Sequence, residues 1–324
     1  MFITNNLFKR TISNLRFRQI KIYPLFNKVM ILQEKQQRDI VINNNSSPNK
    51  TTHLERTSNL KRQELRIPSR IVEIIQETPT VKTFKFNPIS STSGFSFLPG
   101  QWLDVFIPNV SIVGGFSLTS TPQTYEKTNT FELAIKYANH PPAKWFHEQA
   151  NIGDEVNVRV GGEFVWDSLK EKQDRTEHVM FIAGGVGINP LISMLESICQ
   201  DKLSDKNEEK SFIKKVVLFY SARNFNELLF YERIEGLNKQ FPKMLECKYF
   251  LTRDDPPHGN EDSEFYYRQR INKKFLANVI KKEKIYLERL KCFLCGPSAM
   301  EDDVIKWLKE SDVDEKRILF EKWW

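Results

Sequence analysis

The sequence predicts an α+β chain of two domains, an antiparallel β-barrel or sandwich followed by an α/β parallel sheet. Three observations predict it. From Ile71 onward, short segments alternate apolar and polar residues, as in Phe131, Leu133, Ile135 and Tyr137 or in Val156, Val158 and Val160, with Gly, Pro and Asn between them. A period of two belongs to strands with one buried face. After roughly residue 175 the pattern changes to continuous apolar runs, each followed by apolar residues at helical spacing, as strands covered on both faces by helices require. Finally, 324 residues with 40% hydrophobic composition suffice to give each half its own core.

In chain order, residues 1–33 hold six basic groups (Lys9, Arg10, Arg16, Arg18, Lys21, Lys28) and no acid. Removing these six from the formal net charge of +7 leaves +1, so the basic balance reports a leader and not a nucleic-acid surface on the folded part. With Phe8, Ile12 and Leu15 on one helical face, the leader reads as a mitochondrial presequence directing the chain to the matrix. A disordered basic tail is the alternative. Residues 34–66 are polar and aperiodic and read as a linker. Residues 67–172 carry the alternating strands, among them Phe84 and Phe86 and the run from Trp102 to Ile107. Residues 173–324 carry the parallel sheet. Its runs are Val179 to Ala183, Val216 to Tyr220 and Leu290 to Cys295, each followed by a helical stripe, and Ile318 to Phe320 closes the chain as a short strand.

Several chemistries are excluded. No stretch is long and apolar enough to span a membrane. Four cysteines in a chain this long make no disulfide framework, and Cys292 and Cys295, a CxxC spacing inside an apolar strand, point to opposite faces. The five histidines show no metal-ligand spacing, and no HExxH, GxSxG or P-loop lysine occurs. No cysteine spacing matches an iron-sulfur ligand set, so a one-electron partner would be a separate protein.

Two strings carry the chemistry that remains. In AGGVGINP at 183–190, Gly184, Gly185 and Gly187 remove side chains where a buried strand turns into an amphipathic helix, so that amides around Val186 and Ile188 can approach a phosphate. Asn189 is expected as the helix N-cap and Pro190 in the first turn, which would aim the positive end of the helix dipole at a diphosphate. A tight turn with no ligand uses the same residues, and the string departs from GxGxxG. In CGPSAM at 295–300, Cys295, Gly296 and Pro297 again stand at a strand end before a helix, 111 residues after Gly184. Ligands of open parallel sheets bind at the carboxyl ends of the strands, where both strings would meet.

Beyond these, the order LPGQW (98–102), GGFSLTS (114–120), HPPAKWFHEQANIGDEV (140–156), GGEF (161–164), AGGVGINP, LFYSARNFNELLF (218–230) and CGPSAM resembles the ferredoxin-NADP reductase superfamily from about residue 67 to the end. HLERT at 53–57, NHPPAKW, GGVGINP and the terminal FEKWW are most similar to its subfamily of oxidoreductase NAD-binding domain-containing proteins. The resemblance implies a Greek-key flavin barrel packed on a Rossmann-like nucleotide domain. It also implies an NAD(P)H-dependent flavin-type oxidoreductase that passes hydride between NAD or NADP and a flavin, FAD in the superfamily, and then electrons to an unidentified redox partner. The residues it assigns to catalysis are Ser117, Cys295 and Glu321. Those it assigns to cofactor binding are Phe116, Ser117, Gly184, Gly185, Val186, Gly187, Ile188, Asn189, Gly296, Pro297 and Trp324.

The flavin motifs depart from the superfamily pattern. Gly114 stands where an Arg would pair with the flavin's diphosphate, Phe116 where a Tyr would stack, and His140 and Ala143 where a Gly and a Ser or Thr would start a helix. A charge-assisted hydrogen bond contributes about 1.5–3 kcal/mol, so the loss weakens FAD and leaves FMN, a loosely held flavin or none as alternatives. Lys144 is a candidate substitute cation. The second reading of the whole chain is a nucleotide-binding regulatory or assembly protein on the same fold.

Overall fold

A computed structural model describes residues 52–89, 95–204, 212–253, 265–282 and 285–323. The presequence expected at 1–33, the first part of the expected linker and Trp324 lie outside the described residues. Among those described, eight α-helices and twelve strands follow in the order α1 (His53–Arg56), β1 (Ile67–Thr78), β2 (Val81–Pro88), β3 (Trp102–Phe106), β4 (Gly114–Ser117), α2 (Pro122–Thr128), β5 (Phe131–Lys136), α3 (Pro141–Glu148), β6 (Glu155–Gly161), α4 (Ser168–Gln173), β7 (His178–Gly184), α5 (Ile188–Ser204), β8 (Lys215–Ala222), α6 (Tyr231–Gln240), β9 (Leu245–Leu251), β10 (Tyr266–Tyr267), α7 (Lys273–Lys282), β11 (Leu290–Gly296), α8 (Ser298–Lys309) and β12 (Ile318–Lys322).

The first six strands form an antiparallel sheet in the order β4-β3-β6-β1-β2-β5. A bridge between Leu118 and Leu133, backed by the Thr119 amide donating to the Glu132 carbonyl at 3.0 Å, joins the two outer strands and closes the barrel. Closure removes both sheet edges. The alternating residues meet inside: Phe84, Phe86, Leu103, Val105, Phe131, Leu133, Val156, Val158 and Val160 are all buried. Tyr137, counted with the β5 alternation, lies beyond the strand end and is exposed, its hydroxyl donating to Glu148.

The other six strands form a wholly parallel sheet in the order β10-β9-β8-β7-β11-β12. One apolar layer joins α5 and α6 to one face and contains Cys295; the layer on the opposite face joins α7 and α8 and contains Cys292. The two thiols therefore point apart, as alternation along a strand requires. β9 and β10 were not evident in the sequence, because LECKYFL mixes charge into its apolar run and β10 has only two residues.

Helix α5 forms the seam. It is buried almost all round, from Ile188 to Cys199, because the sheet covers one side and the barrel the other. Its polar residues are used across that seam: Ser193 Oγ donates to the Ser120 carbonyl at 2.7 Å, and Asn189 Nδ2 to the Ala134 carbonyl at 2.7 Å. Barrel and sheet thus share one compact unit.

The segment from Thr52 to Arg66, expected as linker, is instead packed. Thr52 and Glu55 cap α1 reciprocally, and His53 is buried, its Nε2 donating to Asp104 Oδ1 at 3.0 Å. Asp104 Oδ2 accepts from Arg62 Nε at 2.9 Å and from Arg159 Nη2 at 2.6 Å. Burial would raise the Asp104 carboxyl, but His53, Arg159 and Arg62 outweigh it and hold it below the ordinary carboxylate value. Polar composition concealed this packing, because what the segment buries is an ion network and not an apolar stripe. Replacing Asp104 by Ala leaves Arg62, Arg159 and His53 without their common acceptor and is expected to destabilise the fold by about 3 kcal/mol in denaturant unfolding. An unchanged midpoint and slope would remove Asp104 as the anchor of this segment.

Candidate functional site

Strand β7 leaves the sheet at Gly184, makes a 3₁₀ turn over Gly185–Gly187 and enters α5 at Ile188. A Cβ on Gly187 would stand 2.0 Å from the Cys295 carbonyl oxygen and 2.8 Å from the Gly296 nitrogen. The turn therefore leans directly on the end of β11, and no side chain fits between. Gly185 has φ +56° and open space around it, so it is the glycine that faces outward. The two strings predicted to converge do meet, at the carboxyl ends of adjacent strands.

Within the expected binding loop the residues divide. Gly185, Val186 and Gly296 are half-buried and Pro297 is exposed, forming a lip, whereas Gly184, Gly187, Ile188 and Asn189 are buried beneath it. Asn189 is not the N-cap, because the 3₁₀ turn runs straight into the helix and the Ile188 amide bonds back to Gly185 and Val186. Its Nδ2 is committed to the barrel at Ala134, and its buried Oδ1 has no protein partner. The Gly296 amide is likewise taken, donating to Glu301 Oε1 at 2.9 Å.

An acid pair lies behind this lip. Cys295 is fully buried, and burial, with Glu321 and Glu301 adding to it, pushes its thiol well up, so a thiolate is not available. Glu321, paired with Cys295 in the β11–β12 register, accepts from Trp323 Nε1 at 3.0 Å and from the Trp102 indole, yet burial outweighs both and raises its carboxyl to about 8. Glu301, on the first turn of α8, was not foreseen. Burial pushes it up to about 7, and its Oε2 has no partner among the described residues. An acid in a first helical turn looks like an ordinary dipole partner in sequence, and only the fold reveals that this one points inward.

On the barrel side, Ser117 is buried and paired in register with Trp102. Phe116 faces the other way and meets Phe146 edge-on at 5.6 Å. A Cβ on Gly114 would stand 2.5 Å from the Phe116 ring and 2.8 Å from Pro142, so the place of a longer side chain there is already filled. Helix α3 begins with Pro141 and Pro142, which have no N–H to offer at its first two positions. Beside Glu321, a cleft of about 490 Å³ opens between Leu60, Trp102, Phe164 and Trp323.

Glu301 and Glu321 hold their protons more tightly in the folded chain than at the ordinary 4.5. Their contribution to stability is complete below that value and is lost as pH rises through about 7 and about 8. Glu301→Gln, which keeps the acceptor for Gly296 and cannot ionise, is expected to match wild type in acid and to exceed it by about 2 kcal/mol at about pH 9. Thermal unfolding across that range measures the difference, and parallel curves at every pH would count against a buried proton on Glu301.

The oxidoreductase NAD-binding domain family matches residues 181–306, which contain both strings and the sheet between them. Among solved structures, the flavohem-like FAD/NAD-binding domain of a Vibrio cholerae nitric oxide dioxygenase superposes with a TM-score of 0.63 at 19% identity, over 79% of this chain and 97% of its own. A ferredoxin NADP+ reductase from Neisseria gonorrhoeae with bound FAD and NADP superposes with a TM-score of 0.61 at 18% identity, over 80% and 99%. These likenesses establish the two-domain fold. The human oxidoreductase NAD-binding domain-containing protein 1 is 38% identical over 279 residues, 86% of this chain and 86% of its own length. An identity of that extent reaches across barrel, seam and sheet alike, and the chain belongs to the oxidoreductase NAD-binding domain-containing protein 1 family.

Proposed function

We propose that the chain is an NAD(P)H-dependent flavin-type oxidoreductase whose nicotinamide nucleotide lies across the lip formed by Gly185, Val186, Gly296 and Pro297. The observation that carries this reading is the convergence of the Gly187 turn on Cys295, which puts a glycine with open surroundings, in the turn that leads into a 17-residue helix, at one sheet edge. A nicotinamide nucleotide fits there. Its diphosphate would face the turn, and the floor of Gly184, Gly187, Ile188 and Asn189 would hold the lip in shape. Bound NAD(P)H supplies a hydride.

The chain's own part is positioning and proton custody. Buried Cys295 sets the floor and, with no thiolate available, stays out of the chemistry as a nucleophile. Glu321, carrying its proton near neutrality between two indoles, is placed to hold or release that proton beside the reacting ring, and Ser117 stands across from it next to Trp102. Hydride transfer otherwise asks mainly for alignment.

The superfamily's FAD mode fits only in part. Ser117, Trp102 and Trp323 offer a seat for a planar ring, but its diphosphate finds Gly114 screened by Phe116 and α3 opened by two prolines. Lys144, the candidate substitute cation, is exposed and paired with Glu148 at 3.7 Å. These features support a flavin held by its ring and readily exchanged, with electrons passing to a separate redox protein. They equally favour the second reading, a nucleotide-binding regulatory or assembly protein. The basic leader supports a mitochondrial location.

Gly185→Asp should abolish NAD(H) binding in a folded chain, because Asp tolerates the left-handed backbone and puts a carboxylate where the diphosphate would lie. Gly187→Asp is not a fair test, since it collides with the Cys295 carbonyl. Calorimetric titration with NADH decides, and undiminished affinity in Gly185→Asp would take the nucleotide off this lip. The purified wild type is further expected to oxidise NADH with added FMN or ferricyanide and to lose any yellow colour on gel filtration. Nucleotide binding without any reductase activity would favour the regulatory reading.

A further inference from the structure

We propose that His53 is a positioning residue for Glu321, acting through Trp102 and Trp323. The inference rests on the oxidoreductase reading only for its effect on turnover; the contact itself lies outside the nucleotide lip. The His53 imidazole occupies the place of a side chain at Gly115, where a Cβ would stand 2.2 Å from its Cε1. From there it meets Trp102 edge-on, with centroids 4.8 Å apart at 83°, and lies face-on to Trp323 at 5.9 Å and 9°. Trp102 and Trp323 are the two indoles that donate to Glu321. One ring thus wedges both donors of one half-buried carboxyl at the cleft wall.

The wedge is itself fixed. Its Nε2–H is held by Asp104, which Arg62 and Arg159 hold in turn, and the Arg62 guanidinium lies over the other part of the Trp102 ring at 4.9 Å. The chain of contacts runs from α1, through the barrel wall, to the last strand of the sheet. Without it, Trp323 keeps its bond to Glu321 and its packing on the sheet's apolar layer but loses its stacked ring, and the cleft that Glu321 already borders can widen around the carboxyl. Charged and titratable groups around Glu321 include Cys295 on β11, Glu301 on α8, Lys322 on its own strand with Asp302 bonded to it, and Arg56 and Glu163 on the cleft wall. Burial is the largest influence on Glu321, so admitting water moves its proton affinity down towards the ordinary carboxylate value.

The test reads intrinsic tryptophan fluorescence against pH, together with NADH–ferricyanide kinetics. Wild type is expected to show a fluorescence transition near the Glu321 value of about 8, which Glu321→Gln removes. In His53→Ala the transition should move to lower pH, with kcat about 10- to 100-fold lower and KM for NADH unchanged. His53→Phe, which keeps the ring but not the bond to Asp104, should titrate as wild type, and His53→Gln, which keeps the bond but not the ring, should be shifted. If His53→Ala does not fold, the Phe and Gln pair decides. An unmoved transition in a folded His53→Ala or His53→Gln, or a shift in Phe and not in Gln, overturns the proposal. A wild type that titrates and shifts as described but oxidises no NADH would leave the wedge standing and defeat the oxidoreductase reading instead.

Discussion

The arrangement depends on one steric fact: the turn after β7 rests on the carbonyl of Cys295 with no side chain between them. The two strand ends, more than a hundred residues apart in the chain, share one rim because β7 and β11 pair side by side, and the space between the turn and β11 is too small even for a methyl group at Gly187. Everything at the lip follows from that approach. Gly185 is turned outward because Gly187 is turned inward, α5 starts where it does because the turn is three residues long, and Glu301 reaches the Gly296 amide because β11 ends level with β7. A structural constraint thus sets the position of residues that a motif search would read as ligand contacts.

The buried charges around the seam show how donor type decides protonation. Asp104 and Glu321 are both hydrogen-bonded from two sides, yet the first is held below its ordinary value and the second above it. Asp104 receives two guanidinium groups, whose charge offsets desolvation; Glu321 receives two neutral indoles, which do not. Glu301, with one backbone amide and an unpartnered oxygen, follows Glu321. Arg233 is held by Glu196 and Glu132 and, despite burial, stays charged for the same reason as Asp104. The anchor of the N-terminal segment is therefore a permanent ion cluster, while the two groups beside Cys295 are acids that keep their protons up to about 7 and about 8.

Much of the fold was legible because its signals are collective. Alternation in Val156, Val158 and Val160 and continuous runs such as Val179 to Ala183 each constrain several residues at once, and burial follows whichever partner arrives. The division between lip and floor was not legible, since Gly185 and Gly187 are the same residue with opposite surroundings. Asn189 has the chemistry of a cap but is drawn into the helix by the barrel carbonyl of Ala134, a contact 55 residues away in the chain. His53 carried only its place in HLERT, which says nothing of what it packs against, and Glu301 carried no signal. Their partners, Asp104 and Gly296, are defined by tertiary approach, and polar residues in a polar context reveal nothing about what they will be buried against.

Two helices, α5 in the sheet and α3 in the barrel, begin in different ways. Helix α5 follows a glycine turn whose outward-facing Gly185 an anion can approach, although within the helix the Ile188 amide bonds back to the turn and Pro190 has none. Helix α3 is only eight residues long and opens with Pro141 and Pro142, whose rings take the place of its first two amides, and the cation that might compensate at position 114 is excluded by the Phe116 ring. Anion affinity at a helix start comes from exposed N–H groups more than from the peptide dipoles behind them, so the prolines weaken the site without disturbing the helix that carries it. The barrel can therefore retain its architecture and its seam with α5 while the start of α3 offers an anion no amide at its first two positions.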